Sequence, residues 1–188
     1  MKRIAAAVLA VIMLASLSGC VSTDNDLDRY GADVVRYGAM SFMPTLESLG
    51  QYSDVQYFVR MDEGVFPNYS MRLIVSFEEA EFKAEVKRLE TAYTYLQEPQ
   101  TADYSAGAYY TMPLATFSAA GFDFRVAVFE ETVYPKNFGM VGVSEQTHQI
   151  AYLWKYDPDL DLICEAGEDR AAKMTEFLSY HYEMDKVG

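Results

Sequence analysis

Basic residues are scarce in this chain: its 188 residues include 15 Lys and Arg against 28 Asp and Glu, and its net charge is −13. Proteins that bind nucleic acids need a basic surface that displaces counterions from phosphates. Anionic lipid headgroups would likewise repel a strongly acidic surface. We therefore expect no nucleic acid among the partners and no electrostatic attachment to anionic membranes.

Cysteine and histidine are equally rare, with two of each. The sequence has no HExxH, GxSxG, CxxC or phosphate-loop motif, so the usual signatures of metalloproteases, hydrolases, thiol redox proteins and nucleotide-binding proteins are missing. Cys164 ends the apolar run Leu162–Cys164, which is typical of a buried thiol. A catalytic pair of Cys164 with His148 or His181 is the alternative.

Only one long apolar run is present, Ile4–Leu17, and it follows the positive residues Lys2 and Arg3. A membrane-spanning helix needs about 20 apolar residues, so this run is short for a span. A charged start, an apolar stretch and then small residues are typical of a secretory signal. We expect residues 1–19 to be a signal peptide that is removed.

The signal ends in the stretch "LSGC", Leu17–Cys20. An aliphatic residue, two small residues and a cysteine resemble the lipobox of bacterial lipoproteins, and the resemblance covers these first 20 residues only. It implies that Cys20 receives a diacylglyceryl group, whose two acyl chains hold the protein stably on a membrane. The expected location is the cell envelope, outside the cytoplasm. An ordinary cleavage site that happens to precede a cysteine is the alternative.

Beyond Cys20 the sequence predicts a short polar tether over residues 20–28 and a single domain over residues 29–188. Three stretches of this region have helical periodicity. An apolar stripe over Leu27–Tyr37 predicts a short helix, and a longer one over Phe82–Leu96 predicts the best-defined helix, with a capping box at Ser76–Glu79. The last helix is predicted from about Gly167 to Tyr182.

Other stretches alternate with a period of two, as strands do. Ser53–Met61 and Tyr69–Phe77 predict an antiparallel hairpin. Phe122–Glu130, Phe138–Ser144 and Gln149–Tyr156 predict three further strands in a meander. The predicted fold class is therefore α+β: one antiparallel sheet of about five to six strands with two main helices packed on one face.

One stretch has the spacing of a metal site. Counting Asp157 as position one, Asp159, Asp161 and Glu168 fall at positions three, five and twelve, which is the carboxylate spacing of an EF-hand calcium loop. Leu162 stands where such a loop requires glycine. These four acids are the candidate calcium ligands. The alternative is a turn at Asp157–Asp159 followed by acids that favour a helix N-terminus.

No motif specifies an activity. The favoured hypothesis is a non-catalytic binding or structural module whose partner is an envelope protein or a glycan. The alternatives are a cell-wall or glycan-directed enzyme that uses a carboxylate pair and a small calcium-dependent module. With 28 acids in the chain, no carboxylate pair can be chosen from the sequence.

Overall fold

The structure is a computed structural model that describes residues 21–104 and 107–187. Its three α-helices are α1 (Tyr30–Tyr37), α2 (Glu79–Ala92) and α3 (Arg170–Tyr182). Its strands are β1 (Val21–Asp24), β2 (Asp54–Asp62), β3 (Asn68–Ser76), β4 (Thr94–Tyr95), β5 (Gln100–Tyr104), β6 (Gly107–Met112), β7 (Thr116–Ala119), β8 (Phe122–Val128), β9 (Asn137–Ser144) and β10 (Gln149–Tyr156). Short 3-10 helices occupy Leu27–Arg29, Leu46–Ser48 and Met184–Lys186.

Eight of the strands form one sheet in the order β1-β2-β3-β10-β9-β8-β4, and β7 pairs with the free part of β8. Strands β5 and β6 form a separate hairpin. Each of these pairings is antiparallel. Two meanders, β1–β3 and β7–β10, therefore meet where β3 pairs with β10.

Helices cover both faces of the sheet. Leu73 and Ile74 are adjacent on β3 and point to opposite faces, as successive strand residues do. Leu73 belongs to a core with α1 and α2, whereas Ile74 belongs to a second core with α3. The sheet is therefore a middle layer between two helical layers.

The predicted fold class is wrong in the size of its sheet and in its single covered face, and it counts two main helices although the short helix predicted over Leu27–Tyr37 is present as a third, α1. The sheet has eight strands, a second two-stranded sheet is present, and three helices lie on two faces. Leu73–Val75 is a continuous apolar run inside β3, and such a run is typical of a strand buried on both sides. The missed strands are short or polar: β1 reads "VSTD", β4 has two residues and β7 has four.

The predicted capping box at Ser76–Glu79 is also wrong. Ser76 is the last residue of β3, and its Oγ accepts a hydrogen bond from Gln149 Nε2 at 3.1 Å. Helix α2 begins at Glu79 without a side-chain cap. It ends at Ala92 because Tyr93 is extended and leads directly into β4.

Helix α3 begins later than predicted, at Arg170. Asp169 caps it by accepting hydrogen bonds from the Ala171 and Ala172 amides at 3.0 and 3.1 Å. A side-chain cap of this kind satisfies amides that have no partner inside the helix. Across residues 21–104 and 107–187, none of the helices has the length and apolar character that a membrane crossing requires.

Leu89 gives a direct test of the packing of α2 against the sheet. Its side chain is buried in the core that α2 shares with the sheet. Replacing Leu89 by Ala should lower the free energy of unfolding by about 2–5 kcal/mol, measured as a shift of the urea midpoint. Lys87→Ala, at an exposed position of the same helix, is the control and should leave the midpoint nearly unchanged. Equal midpoints for both variants would show that Leu89 is not packed between α2 and the sheet.

Candidate functional site

The predicted lipid site, Cys20, lies outside the described residues. The residues after it are described: Val21–Asp24 form β1 and pair with β2, Val21 opposite Asp62. Much of the predicted tether is thus an edge strand of the sheet. A group attached to Cys20 would be one residue away from the folded domain.

The first two predicted calcium ligands lie in a turn after β10. Asp157 Oδ1 accepts a hydrogen bond from the Asp159 amide at 3.3 Å, and Asp157 Oδ2 lies 3.2 Å from Lys155 Nζ. Asp157 is therefore occupied on both oxygens by this turn and by a lysine.

The other two predicted ligands have separate partners. Asp161 pairs with Lys136 at 3.6 Å, and Glu168 pairs with Lys173 at 3.1 Å. The Glu165 amide also donates to Glu168 at 2.7 Å, and this bond, followed by Lys173, lowers the pKa of Glu168. Within the described part of the chain, no three Asp, Glu, His or Cys side chains are grouped to hold a metal. Calcium binding stays a prediction, and it would require these ion pairs to be exchanged.

A polar cluster that the sequence did not predict lies under α3. Lys155 is fully buried, and its Nζ lies 3.2 Å from Asn68 Oδ1 and 3.2 Å from Asp157 Oδ2. Burial lowers the pKa of Lys155, and Asp157 opposes that effect. The register places Ser70 beside Lys155, and Ser70 Oγ lies 3.3 Å from His181 Nδ1.

His181 is neutral in this setting. Burial first, and then the positive charges of Lys155 and Arg60, lower its pKa to about 3. Its ring packs on Phe177, with centroids 4.4 Å apart. A serine beside a neutral imidazole could act as a nucleophile if substrate reached it, but Ser70 is fully buried. The contacts are those of a structural cluster that fixes α3 on the sheet.

Cys164, the other candidate nucleophile, is buried as predicted. Its Sγ donates to the backbone oxygen of Glu165 at 3.4 Å, and burial raises its pKa. A raised pKa disfavours the thiolate, which is the nucleophilic form.

Among the residues whose burial the structure describes, two carboxylates are buried, and both are already paired. Asp33 accepts a hydrogen bond from Tyr57 Oη at 3.1 Å and faces Arg29 at 3.7 Å. Tyr57 and Arg29 contact one oxygen each, so the burial of Asp33 needs no catalytic explanation.

Glu85 is held more tightly. Arg88 donates to both of its oxygens, at 2.5 and 2.8 Å, and Tyr152 Oη donates at 2.9 Å. Burial, followed by the charge of Glu85, raises the pKa of Tyr152 well above its usual value. Glu85 therefore ties α2 to β10.

An apolar groove lies between α1 and the segment 40–47, and it has a volume of about 570 Å³. Its lining residues are Leu27, Asp28, Tyr30, Gly31, Val34, Val35, Met40, Met43, Pro44, Thr45, Leu46 and Glu47. Tyr30 closes the floor, where its hydroxyl donates to the Pro44 carbonyl at 2.5 Å and burial raises its pKa. The floor is thus fixed by a hydrogen bond between the two walls.

The rim of this α1 groove exposes apolar side chains. Val35 is 61% exposed and Met40 is 62% exposed. The charged lining residues are both acids, Asp28 and Glu47. A Cβ added at Gly31 would meet no atom within 4 Å, so the groove is open above this residue. This geometry can bind an apolar group, and the acids favour a neutral or cationic one.

The sequence pattern does not reveal the groove, because the walls of the groove come from two separate segments. The helical stripe over Leu27–Tyr37 identified the buried side of α1. The exposed apolar residues Val35 and Met40, which lie off that stripe, were the signal that could have indicated a second apolar surface.

His181 predicts how stability depends on pH. Its folded pKa of about 3 lies below the ordinary value near 6.5. The unfolded chain therefore binds a proton between these values that the folded chain does not, and the free energy of unfolding falls as the pH drops below about 6.5. His181→Gln removes the group that binds this proton. The slope of the free energy of unfolding against pH should therefore be smaller between pH 6.5 and 5, by up to about 1.4 kcal/mol per pH unit.

Urea midpoints measured across that pH range give the slope, whatever the variant does to overall stability. Lys87→Ala, which changes an exposed position of α2 and leaves both histidines in place, is the control and should keep the slope of the native chain. Parallel curves for the native chain and His181→Gln would show that His181 is not held neutral.

Comparisons with protein-family models, with curated proteins and with solved structures found no match to this chain. Any function proposed for the folded domain therefore has to be inferred from the geometry of the described residues.

Proposed function

We propose that this protein is a bacterial lipoprotein, held at the cell-envelope membrane by lipid on Cys20, whose domain is a non-catalytic binding module. The observation that carries the binding role is the α1 groove, with its apolar floor and its exposed rim. The support for the anchor is the apolar run Ile4–Leu17 followed by the lipobox-like Leu17–Cys20.

The size of the groove suits a ligand. Binding pockets for small molecules typically have volumes of about 300–1,000 Å³ and are mostly apolar with a few polar groups, and the groove has about 570 Å³. Val35 and Met40 at its rim lose contact with water when an apolar group covers them. We infer that the ligand is apolar and either neutral or positively charged, because Asp28 and Glu47 would repel an anion.

The enzyme alternative has less support from the geometry. A carboxylate-pair glycosidase needs two acids that flank the scissile bond in a cleft. Asp33 and Glu85, which are buried, instead have an arginine and a tyrosine each as partners. The acids in the groove are exposed at its rim, where an apolar ligand would leave them in water.

Lipid attachment can be tested on the protein isolated from membranes. Intact-mass analysis should give a chain that begins at Cys20 and carries a diacylglyceryl group. Cys20→Ser should eliminate the lipid mass, whereas Cys164→Ser should leave it unchanged because Cys164 is buried in the domain. An unmodified Cys20 in the native chain would contradict the anchor.

Ligand binding can be tested by filling the groove. Gly31→Leu places a side chain in the open space and keeps α1 intact, since leucine favours helix more than glycine does. The neutral fluorophore N-phenyl-1-naphthylamine should bind the chain that starts at Val21, and Gly31→Leu should weaken it at least tenfold. Gly50→Leu is the matched control, because Gly50 is also exposed with open space beside it.

The sign of the charge gives a second readout of the same site. The anionic analogue 1-anilinonaphthalene-8-sulfonate should bind less tightly than the neutral dye, and Asp28→Asn with Glu47→Gln should reduce the difference. Equal dye affinity for Gly31→Leu, Gly50→Leu and the native chain would exclude the groove as the binding site.

A further inference from the structure

We propose that the tip of the β2–β3 hairpin, Val65 and Phe66, inserts into the lipid bilayer that holds Cys20. This inference rests on the lipid attachment proposed above. It adds a second membrane contact made by the folded domain itself, which would fix the orientation of the domain on the membrane.

The strand register places the tip beside the anchor. Val21 is paired with Asp62, and Asp62 is also paired with Asn68 in the last pair of the β2–β3 ladder. The hairpin tip, residues 63–67, follows immediately. Cys20 precedes Val21, so a lipid on Cys20 would emerge at the same end of the sheet. Consecutive Cα atoms are only about 3.8 Å apart, which leaves no spacer that could hold this end away from the bilayer.

The tip is apolar and exposed. Val65 is 71% exposed and Phe66 is 58% exposed, and they are neighbours in the chain. Val21, next to the anchor, is exposed as well. Single exposed apolar residues need no explanation, but adjacent ones at the point of attachment form a patch that gains by leaving water.

The connection between β8 and β9 reaches the same end of the sheet. Asn137 is paired with Tyr156, and Tyr156 is paired with Tyr69, which follows the hairpin tip. Val133 forms a bridge with Asn137 and is exposed. Val133 is therefore a further exposed apolar residue at the same end of the sheet as Val21, Val65 and Phe66.

The charges at this end of the domain determine which lipid headgroups the hairpin tip can approach. The acidic groups are Asp62, Glu63, Glu130, Glu131, Asp157, Asp159 and Asp161, and the basic groups are Arg36, Lys136 and Lys155, of which Lys155 is buried against Asp157 at 3.2 Å. Arg36 is paired with Glu63 at 3.6 Å, and Lys136 is paired with Asp161 at 3.6 Å. The remaining charge is negative, so we infer insertion among neutral headgroups and weaker insertion where anionic lipid is abundant.

The test uses the full lipoprotein in phosphatidylcholine vesicles. Val65→Cys carries an environment-sensitive nitrobenzoxadiazole label, and Phe66 stays in place. Tyr52→Cys is the matched control, because Tyr52 precedes β2 and lies at the opposite end of the strand. Cys164 is buried and should remain unlabelled in the folded chain. Nitroxide-labelled lipids then quench any label that lies inside the bilayer.

We expect a blue-shifted emission and at least twofold quenching at position 65, with neither at position 52. Adding Phe66→Asp should abolish both effects at position 65. Replacing half of the phosphatidylcholine by phosphatidylglycerol should at least halve the quenching. A label at position 65 that stays in water, or a blue shift without quenching by the lipid nitroxide, would overturn the inference; the latter would indicate a protein covering the tip.

Counting the free thiols of the unmutated protein after denaturation distinguishes failure of the lipid anchor from failure of insertion. A lipidated chain has one free thiol, from Cys164, whereas an unlipidated chain that retains Cys20 has two. One free thiol with no quenching at position 65 overturns insertion alone. Two free thiols overturn the lipid anchor, and with it the inference that depends on it.

Discussion

The antiparallel pairing of β3 with β10 is the interaction on which the rest of the fold depends. It runs in unbroken register from Gln149 opposite Ser76 to Tyr156 opposite Tyr69, and it joins the two meanders of the sheet. Six successive residues of each strand are buried, so each strand contributes to both cores. Helices α1 and α2 pack on one side of this pair and α3 packs on the other, which makes its integrity a condition for all three layers.

Burying this pair on both sides also buries two charged side chains, Arg72 and Lys155, and both have polar partners. Arg72, on β3, donates hydrogen bonds to the Tyr182 and Glu183 carbonyls at 2.7 and 3.1 Å. These carbonyls end α3 and have no partners inside the helix. Burial lowers the pKa of Arg72, but the paired carbonyls offset part of the cost of its desolvation. With Lys155 beside Asp157, the polar residues of the central strands position α3.

The sequence predicted the elements whose local pattern agrees with their environment. Helix α3 and the β2–β3 hairpin could be predicted because one hydrophobic period describes each of them, a helical period for α3 and alternation for the hairpin. In Leu73–Val75, the alternate residues Leu73 and Val75 predict one buried face, whereas the unbroken apolar run indicates burial on both faces. Polar β1 could not be predicted, since its pairing depends on β2, which is distant in sequence. His181 shows the same limit: its position near a helix end favours a cation, whereas burial against the sheet, and then the charges of Lys155 and Arg60, lower its pKa and keep it neutral.

The two proposed surfaces are connected through α1. Tyr30, at its start, packs on Tyr57 in the middle of β2, and Tyr37, at its end, packs on Tyr69 beside the hairpin tip. The helix therefore points its C-terminus toward the end of the sheet where Val21 pairs with Asp62, next to the proposed anchor. Its eight residues span about 12 Å, and the rim residues Val35 and Met40 lie near its C-terminal end. With the anchor and the groove as proposed, an apolar ligand would have a short path from the membrane to the groove, which would give a physical reason for an anchor without a spacer.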